Sequence, residues 1–160
     1  MAARTESWEV KVASAKDWER WMAFVSTVQE EFHGIDLSGD AKYRAVIEKN
    51  MKRSTAIYVE DDATHEILGA MTYSPHSLHV GWLAVGPGHR RKGIGTALVR
   101  YMFAVLPKNV SLSVKTFLET DRPGKAAHAF YKSLGFTPRE ILEDSNMENA
   151  GHPFHLFVKG

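Results

Sequence analysis

Residues 79–106 read HVGWLAVGPGHRRKGIGTALVRYMFAVL, a strand, a glycine-rich turn and a helix in a single run. Val80, Trp82, Leu83, Ala84 and Val85 form an apolar segment that Gly86-Pro87-Gly88 ends, the pattern of a strand entering a sharp turn. Ile94, Leu98, Tyr101, Met102 and Val105 are spaced to share one face of a helix. Between the two lies His89-Arg90-Arg91-Lys92-Gly93-Ile94-Gly95-Thr96. Positive charge and two glycines thus sit on a helix start. The first N–H groups of a helix have no internal partner and carry the positive end of the macrodipole, so they suit an anion. Glycines there let a phosphate approach the backbone. The stretch implies a phosphate-bearing ligand.

The spacing narrows the choice of ligand. A P-loop needs Gly-x-x-x-x-Gly-Lys-Ser/Thr, but here Lys92 precedes Gly93 and Thr96 follows Gly95. A dinucleotide fingerprint needs a small residue three places after Gly95, where Leu98 stands. Arg90-Arg91-Lys92-Gly93-Ile94-Gly95 does match R/Q-x-x-G-x-G/A. With a strand before it and an amphipathic helix after it, this segment closely resembles the acyl-CoA-binding motif of the GNAT superfamily of N-acyltransferases.

Composition bounds the remaining possibilities. The chain has 160 residues, 44% hydrophobic and 24% charged, and reads as one domain, residues 1–160, with room for a sizeable core. A net charge of +1 offers no general attraction to nucleic acid or to an anionic membrane. There are no cysteines, which excludes disulfides, thiolate metal sites and a Cys nucleophile. No histidine spacing suggests a metal site. No apolar run reaches the length of a membrane span, and the first 18 residues show no signal-peptide core, so a cytoplasmic location is the default expectation.

Taken in order, residues 8–12 suggest a short strand. Ser14 caps a helix expected to continue to Phe32 with Trp18, Trp21, Met22, Val25, Val28 and Phe32 inward. Asp40 caps a second helix with Tyr43, Val46, Ile47 and Met51 inward. Residues 56–59 and 67–73 form a hairpin around EDDATHE. After the central run come a strand over 109–117, a helix over 125–134 ended by Gly135, and two strands over 136–142 and 154–159. The order is β-α-α-β-β-β-α-β-α-β-β, a mixed α and β (α+β) chain.

A second motif lies downstream. Ala127 to Phe136, AHAFYKSLGF, resembles the other hallmark of GNAT enzymes, a helix with a tyrosine followed by Gly-Phe. The resemblance implies a GNAT-like fold: a twisted mixed sheet flanked by helices and splayed between the strand ending at Val85 and the next one. It implies acetyl-CoA as co-substrate in that gap, with no metal, and transfer of the acetyl group to a primary amine by direct attack. The family's usual Asn at the start of the later helix is replaced by Gly124.

By the same resemblance, Tyr131 is the general acid for the departing thiolate, and His79 holds the place of a base that is often Glu. The Val85 N–H meets the oxyanion and Leu83 pairs with the pantetheine arm. Arg90, Arg91, Lys92, Gly93, Ile94, Gly95 and Thr96 contact the diphosphate, and Gly124 and Phe130 border the cofactor. The chemistry sets demands on these groups. An alkylamine of pKa ~10.4 is neutral in only about 1 part in 2500 at pH 7. Transfer of its proton to an unperturbed histidine is uphill by roughly 4 units, about 5 kcal/mol. Tyrosine giving a proton to a thiolate costs about 2 kcal/mol at reference values.

Plainer roles stand beside these. Tyr131 shares a helix face with Ala127 and Leu134, which core packing also explains. A lone histidine on a strand is commonly structural, and the tryptophans read as core. In the family the acceptor cleft is usually lined by the loops after the first helix and between the last two strands. Those hold Glu30, Glu31, Asp36, Asp40, Glu143, Asp144 and Glu148, which would suit a cationic small-molecule or lysine-type amine. Exposed loops are commonly acidic in any case, so both readings stay open. The alternative functions are a non-catalytic acyl-CoA-binding or regulatory domain and nucleotide binding at the same turn. Family members often dimerise, which makes a homodimer an expectation.

Overall fold

The computed structural model describes residues 8–32, 34–120, 124–143 and 153–160. Strands β1 (Lys11–Val12), β2 (Ala56–Glu60), β3 (Ile67–Ser74), β4 (His79–Val85), β5 (Leu112–Phe117), β6 (Thr137–Leu142) and β7 (Phe154–Lys159) form a sheet in the order β1-β2-β3-β4-β5-β7-β6. Helices α1 (Trp18–Thr27), α2 (Ala41–Lys52), α3 (Ile94–Val105) and α4 (Gly124–Ser133) flank it. The order and the mixed architecture match the sequence expectation.

Every neighbouring pair of strands is antiparallel except β4 and β5, which are parallel and register only at His79↔Ser113 and Val80↔Val114. Beyond that point β4 runs on to Val85 and β5 to Phe117, registering with β7. The sheet is therefore forked. The fork has a local cause in Gly81. Thr72 pairs with Trp82 and Tyr73 with Val80, leaving Gly81 as an extra residue in β4. A bulge bends its strand, and this one sits at the first position past the last β4–β5 pair. Glycine suits the position, because a Cβ would lie 2.8 Å from Thr72 Oγ1 and force that hydroxyl to move.

Alternate residues of the strands feed two cores. One lies under α3 and α4 and holds Ile57, Val80, Ile94, Leu98, Met102 and Val114 with Tyr131, Phe136 and Phe157. The other lies under α1 and α2 and holds Trp21, Met22, Phe24, Val25, Tyr43 and Ile47.

Three expectations are corrected. The first helix is divided: a 3₁₀ turn at Ala15–Asp17, α1, and a second 3₁₀ turn at Gln29–Phe32. The break follows Ser26 and Thr27, whose hydroxyls bond back to Met22 O and Phe24 O and compete with the helical ladder. Val46 and Val105, expected inward, are 51% and 48% exposed. In α2 the buried stripe steps by four through Tyr43, Ile47 and Met51, which leaves Val46 to one side. Val105 is spaced with Leu98 and Met102, and its exposure comes at the last residue of α3.

Candidate active site

Among the described residues the fork leaves two backbone donors of β4 without a strand partner. Gly86 N–H bonds Leu68 O across to β3 at 2.8 Å. Successive residues of a strand point their N–H groups to opposite sides, so Val85 and, two residues earlier, Leu83 direct theirs into the open side of β4.

Beside the fork mouth stands the start of α3. Gly93 is its N-cap at φ +86°, and no side chain caps this end. Arg91 also takes a left-handed conformation, φ +66°. A bulky residue with positive φ is uncommon, and alternating left-handed residues cup the backbone so that several N–H groups converge. Arg90, Arg91 and Lys92 are exposed around that cup, Ile94 is buried, and Thr96 is partly buried. Gly95 lets the helix seat closely: a Cβ there would lie 3.2 Å from the Phe130 ring and 3.7 Å from Val85 Cγ2. One contact was not legible in the sequence. The Trp8 indole N–H donates to Lys92 O at 2.7 Å. Because a trans peptide points its C=O and N–H oppositely, this bond turns the Gly93 N–H away from Trp8.

Tyr131 and Phe130 come from α4. Tyr131 is 6% exposed, packed edge-on against Phe130 and Phe136, and its hydroxyl makes no hydrogen bond among the described residues. Burial pushes its pKa above the ordinary tyrosine value. Two contacts fix the start of α4 against the end of β5. The buried His128 donates from Nε2 to Phe117 O at 2.7 Å, which sets its tautomer. At Gly124 an added Cβ would fall 1.7 Å from Leu118 O. The missing Asn thus has a steric reason: α4 begins too close to the β5 end for any side chain.

His79 lies at the closed end of the fork, partly buried, with Nδ1 2.8 Å from Ser113 Oγ. Along β4 it is about 13 Å from Leu83 and about 20 Å from Val85, at roughly 3.3 Å per residue. That distance far exceeds a direct hydrogen bond. The structure therefore brings together the fork donors, the α3 start and α4, and sets His79 apart from them.

On the opposite face of the sheet, Trp82 is ringed by aromatics. Its ring centroid lies 5.5 Å from Tyr43, 5.7 Å from Phe32, 6.0 Å from Trp21 and 6.3 Å from Phe24. Phe32 is also 6.0 Å from Phe117 on β5. It therefore spans the gap between the parted strands. The Trp82 indole nitrogen is buried and has no hydrogen-bond partner among the described residues. Of the acidic residues proposed as walls, Asp36 accepts from Ser38 N and Oγ and from Ser26 Oγ, which lowers its pKa. Asp40 caps α2 through Tyr43 N. Glu143 is exposed. The side chains of Glu30 and Glu31, and all of Asp144 and Glu148, lie outside the described residues.

Among the described residues no group of three or more His, Asp or Glu is placed to hold a metal ion, and no helix is long and apolar enough to cross a membrane.

Comparison with known proteins agrees with this geometry. The model of the acetyltransferase (GNAT) family matches residues 17–136. No curated protein sequence matches the chain. Among solved structures, a GNAT-family acetyltransferase from Bacillus cereus superposes with a TM-score of 0.68 at 20% identity, covering 96% of this chain and 97% of that one. An aminoglycoside 6'-N-acetyltransferase complexed with coenzyme A gives 0.68 at 15% identity over 94% and 96%. The paia N-acetyltransferase from Thermoplasma acidophilum, in complex with coenzyme A, gives 0.69 at 16% over 96% and 99%. At such identities the superpositions speak for the fold, and the family match speaks for the sequence. The chain belongs to the acetyltransferase (GNAT) family.

Proposed function

We propose that the protein is an N-acetyltransferase that takes its acetyl group from acetyl-CoA and passes it to a primary amine by direct attack. The observation that carries this is the fork itself: two outward N–H groups, from Leu83 and Val85, beside an uncapped helix start whose cup is rimmed by cations. When bound there, acetyl-CoA would supply the reactive thioester. The residues present fit it. The N–H groups of residues 93–96 and the side chains of Arg90, Arg91 and Lys92 would hold the diphosphate. Leu83 would pair with the pantetheine arm, and the Val85 N–H would meet the negative charge that develops on the carbonyl oxygen. In the reaction a C–N bond forms, the C–S bond breaks, and one proton leaves the amine.

Tyr131 would donate to the departing sulfur. Because burial raises its pKa, it stays protonated at working pH and steadies the thiolate as a hydrogen-bond donor. The amine's proton leaves to solvent water, because His79 at the closed end of the fork stands beyond the reach of one bridging water.

Release of free thiol from acetyl-CoA in the presence of an amine panel tests the proposal. Tyr131→Phe is expected to lower kcat on the order of 10²-fold while the Kd for coenzyme A holds. Unchanged kcat removes Tyr131 from the mechanism. Coenzyme A binding without turnover on every amine favours the non-catalytic binding domain instead.

A further inference from the structure

The aromatic group on the α1/α2 face is more than the lid of a core. Trp82 belongs to β4 and Phe117 to β5, the two strands that part, and both follow the last paired residues, Val80 and Val114. Phe32 leans on both rings, stacked on Trp82 with 20° between planes and tilted 56° to Phe117. All three are partly buried, unlike Trp21 beneath them, which is fully buried. The three rings thus line the fork on the face opposite α3 and α4. Among the described residues the Trp82 indole N–H is a polar atom of the floor with no partner. A buried donor left unpaired is costly, so its natural complement is an acceptor brought by a ligand.

Charge argues in the same direction. Asp36 and Asp40 are engaged in local turns and caps. The rings offer a single ammonium a cation–π contact at most and give a polycation no carboxylate pair at this place. Rings also favour an amine that carries a ring, through stacked and edge-on contacts.

Resting on the acetyltransferase reading above, we infer that the acceptor is an arylalkylamine whose ring is received among Phe32, Trp82 and Phe117, its nitrogen reaching through the fork toward Leu83 and Val85. A π-face or a ring hydroxyl supplies the acceptor for the Trp82 N–H. The three residues set specificity and take no part in bond making.

The test compares 2-phenylethylamine and tyramine with n-hexylamine, of similar apolar bulk, and with spermidine, using thiol release from acetyl-CoA. The aryl amines are expected to exceed n-hexylamine by at least about tenfold in kcat/KM, the scale of one or two ring contacts. Phe117→Leu and Phe32→Leu should each shrink that ratio severalfold, and these conservative changes keep an apolar side chain in place. Equal rates for aryl and alkyl amines, or a preference for spermidine, overturn the inference and leave the enzyme assignment standing. Should no amine be turned over, the enzyme assignment fails, and binding read from tryptophan fluorescence decides the cleft by itself. Saturable binding of 2-phenylethylamine, tighter than that of n-hexylamine, supports it; equal binding overturns it.

Discussion

On the α3/α4 face the sheet is covered chiefly by Ile94, Leu98, Val99 and Met102, and the groups offered to a ligand are peptide N–H donors at the fork and the helix start. On the α1/α2 face it is covered by Trp21, Phe24, Tyr43 and Trp82, and what faces the fork there is side chains. On the proposed reading, the first face recognises through the backbone, which most substitutions leave in place, and the second through ring shapes, which a single substitution alters. One fork can in this way keep a fixed donor on one side and a variable acceptor on the other.

Perturbing either face should move one substrate's constants and spare the other's. The largest effect is expected at Gly124. Restoring an asparagine there by Gly124→Asn forces a Cβ onto Leu118 O, and about 3 kcal/mol is lost, a Tm fall of roughly 10 °C. A variant that melts with the wild type and binds coenzyme A more tightly would show that α4 tolerates the side chain.

On the aromatic face, Tyr43→Phe removes the hydroxyl that accepts from Trp21 Nε1 at 3.1 Å. The orphaned buried N–H costs about 1–3 kcal/mol by denaturant unfolding. The amine KM should rise and the acetyl-CoA KM should not; movement of both would blur the division between the faces. Smaller again is Trp8→Phe, which keeps the ring but loses the bond to Lys92 O. It should raise the acetyl-CoA KM about three- to tenfold with kcat unchanged, the value of one hydrogen bond. A lower kcat at unchanged KM would deny Trp8 its part in orienting the Gly93 N–H.

The smallest effect concerns acid. Glu60 on β2 receives His65, Arg20 and Lys11, and these partners hold its pKa down at about 2. A carboxyl depressed on folding adds stability above its unfolded value of about 4.3, and that contribution is lost as pH falls toward 2. Arg20 belongs to α1 and also binds Asp17 at 2.7 Å, so this network ties the aromatic face to the sheet edge. Glu60→Gln should flatten part of the decline in Tm between about pH 4 and pH 2; an identical decline in the variant would place the acid sensitivity elsewhere.

The strand–turn–helix half of the candidate site was readable from residue order because its structure is local. A strand, a turn with Gly93 and Gly95, and a helix stripe lie within residues 79–106, and the φ of +86° at Gly93 is what that glycine anticipates. Tyr131 and Gly135 were likewise legible, close together on one helix and its end. What was not readable depends on partners far apart in the chain. Trp8 reaches across 84 positions to Lys92. The acidic walls read from loop composition include Asp36 and Asp40, whose local capping no count of charges reveals.

The amino-acid sequence by itself determined the element order, the glycine-rich turn into α3 and the family, since each rests on spacing within a few dozen residues. Only the tertiary structure decided where the sheet forks, why Gly124 has no side chain, how far His79 stands from the donors, and that Phe32 and Phe117 meet over Trp82. Those facts come from strands and turns brought together from distant parts of the chain, and long-range packing leaves no period in the sequence.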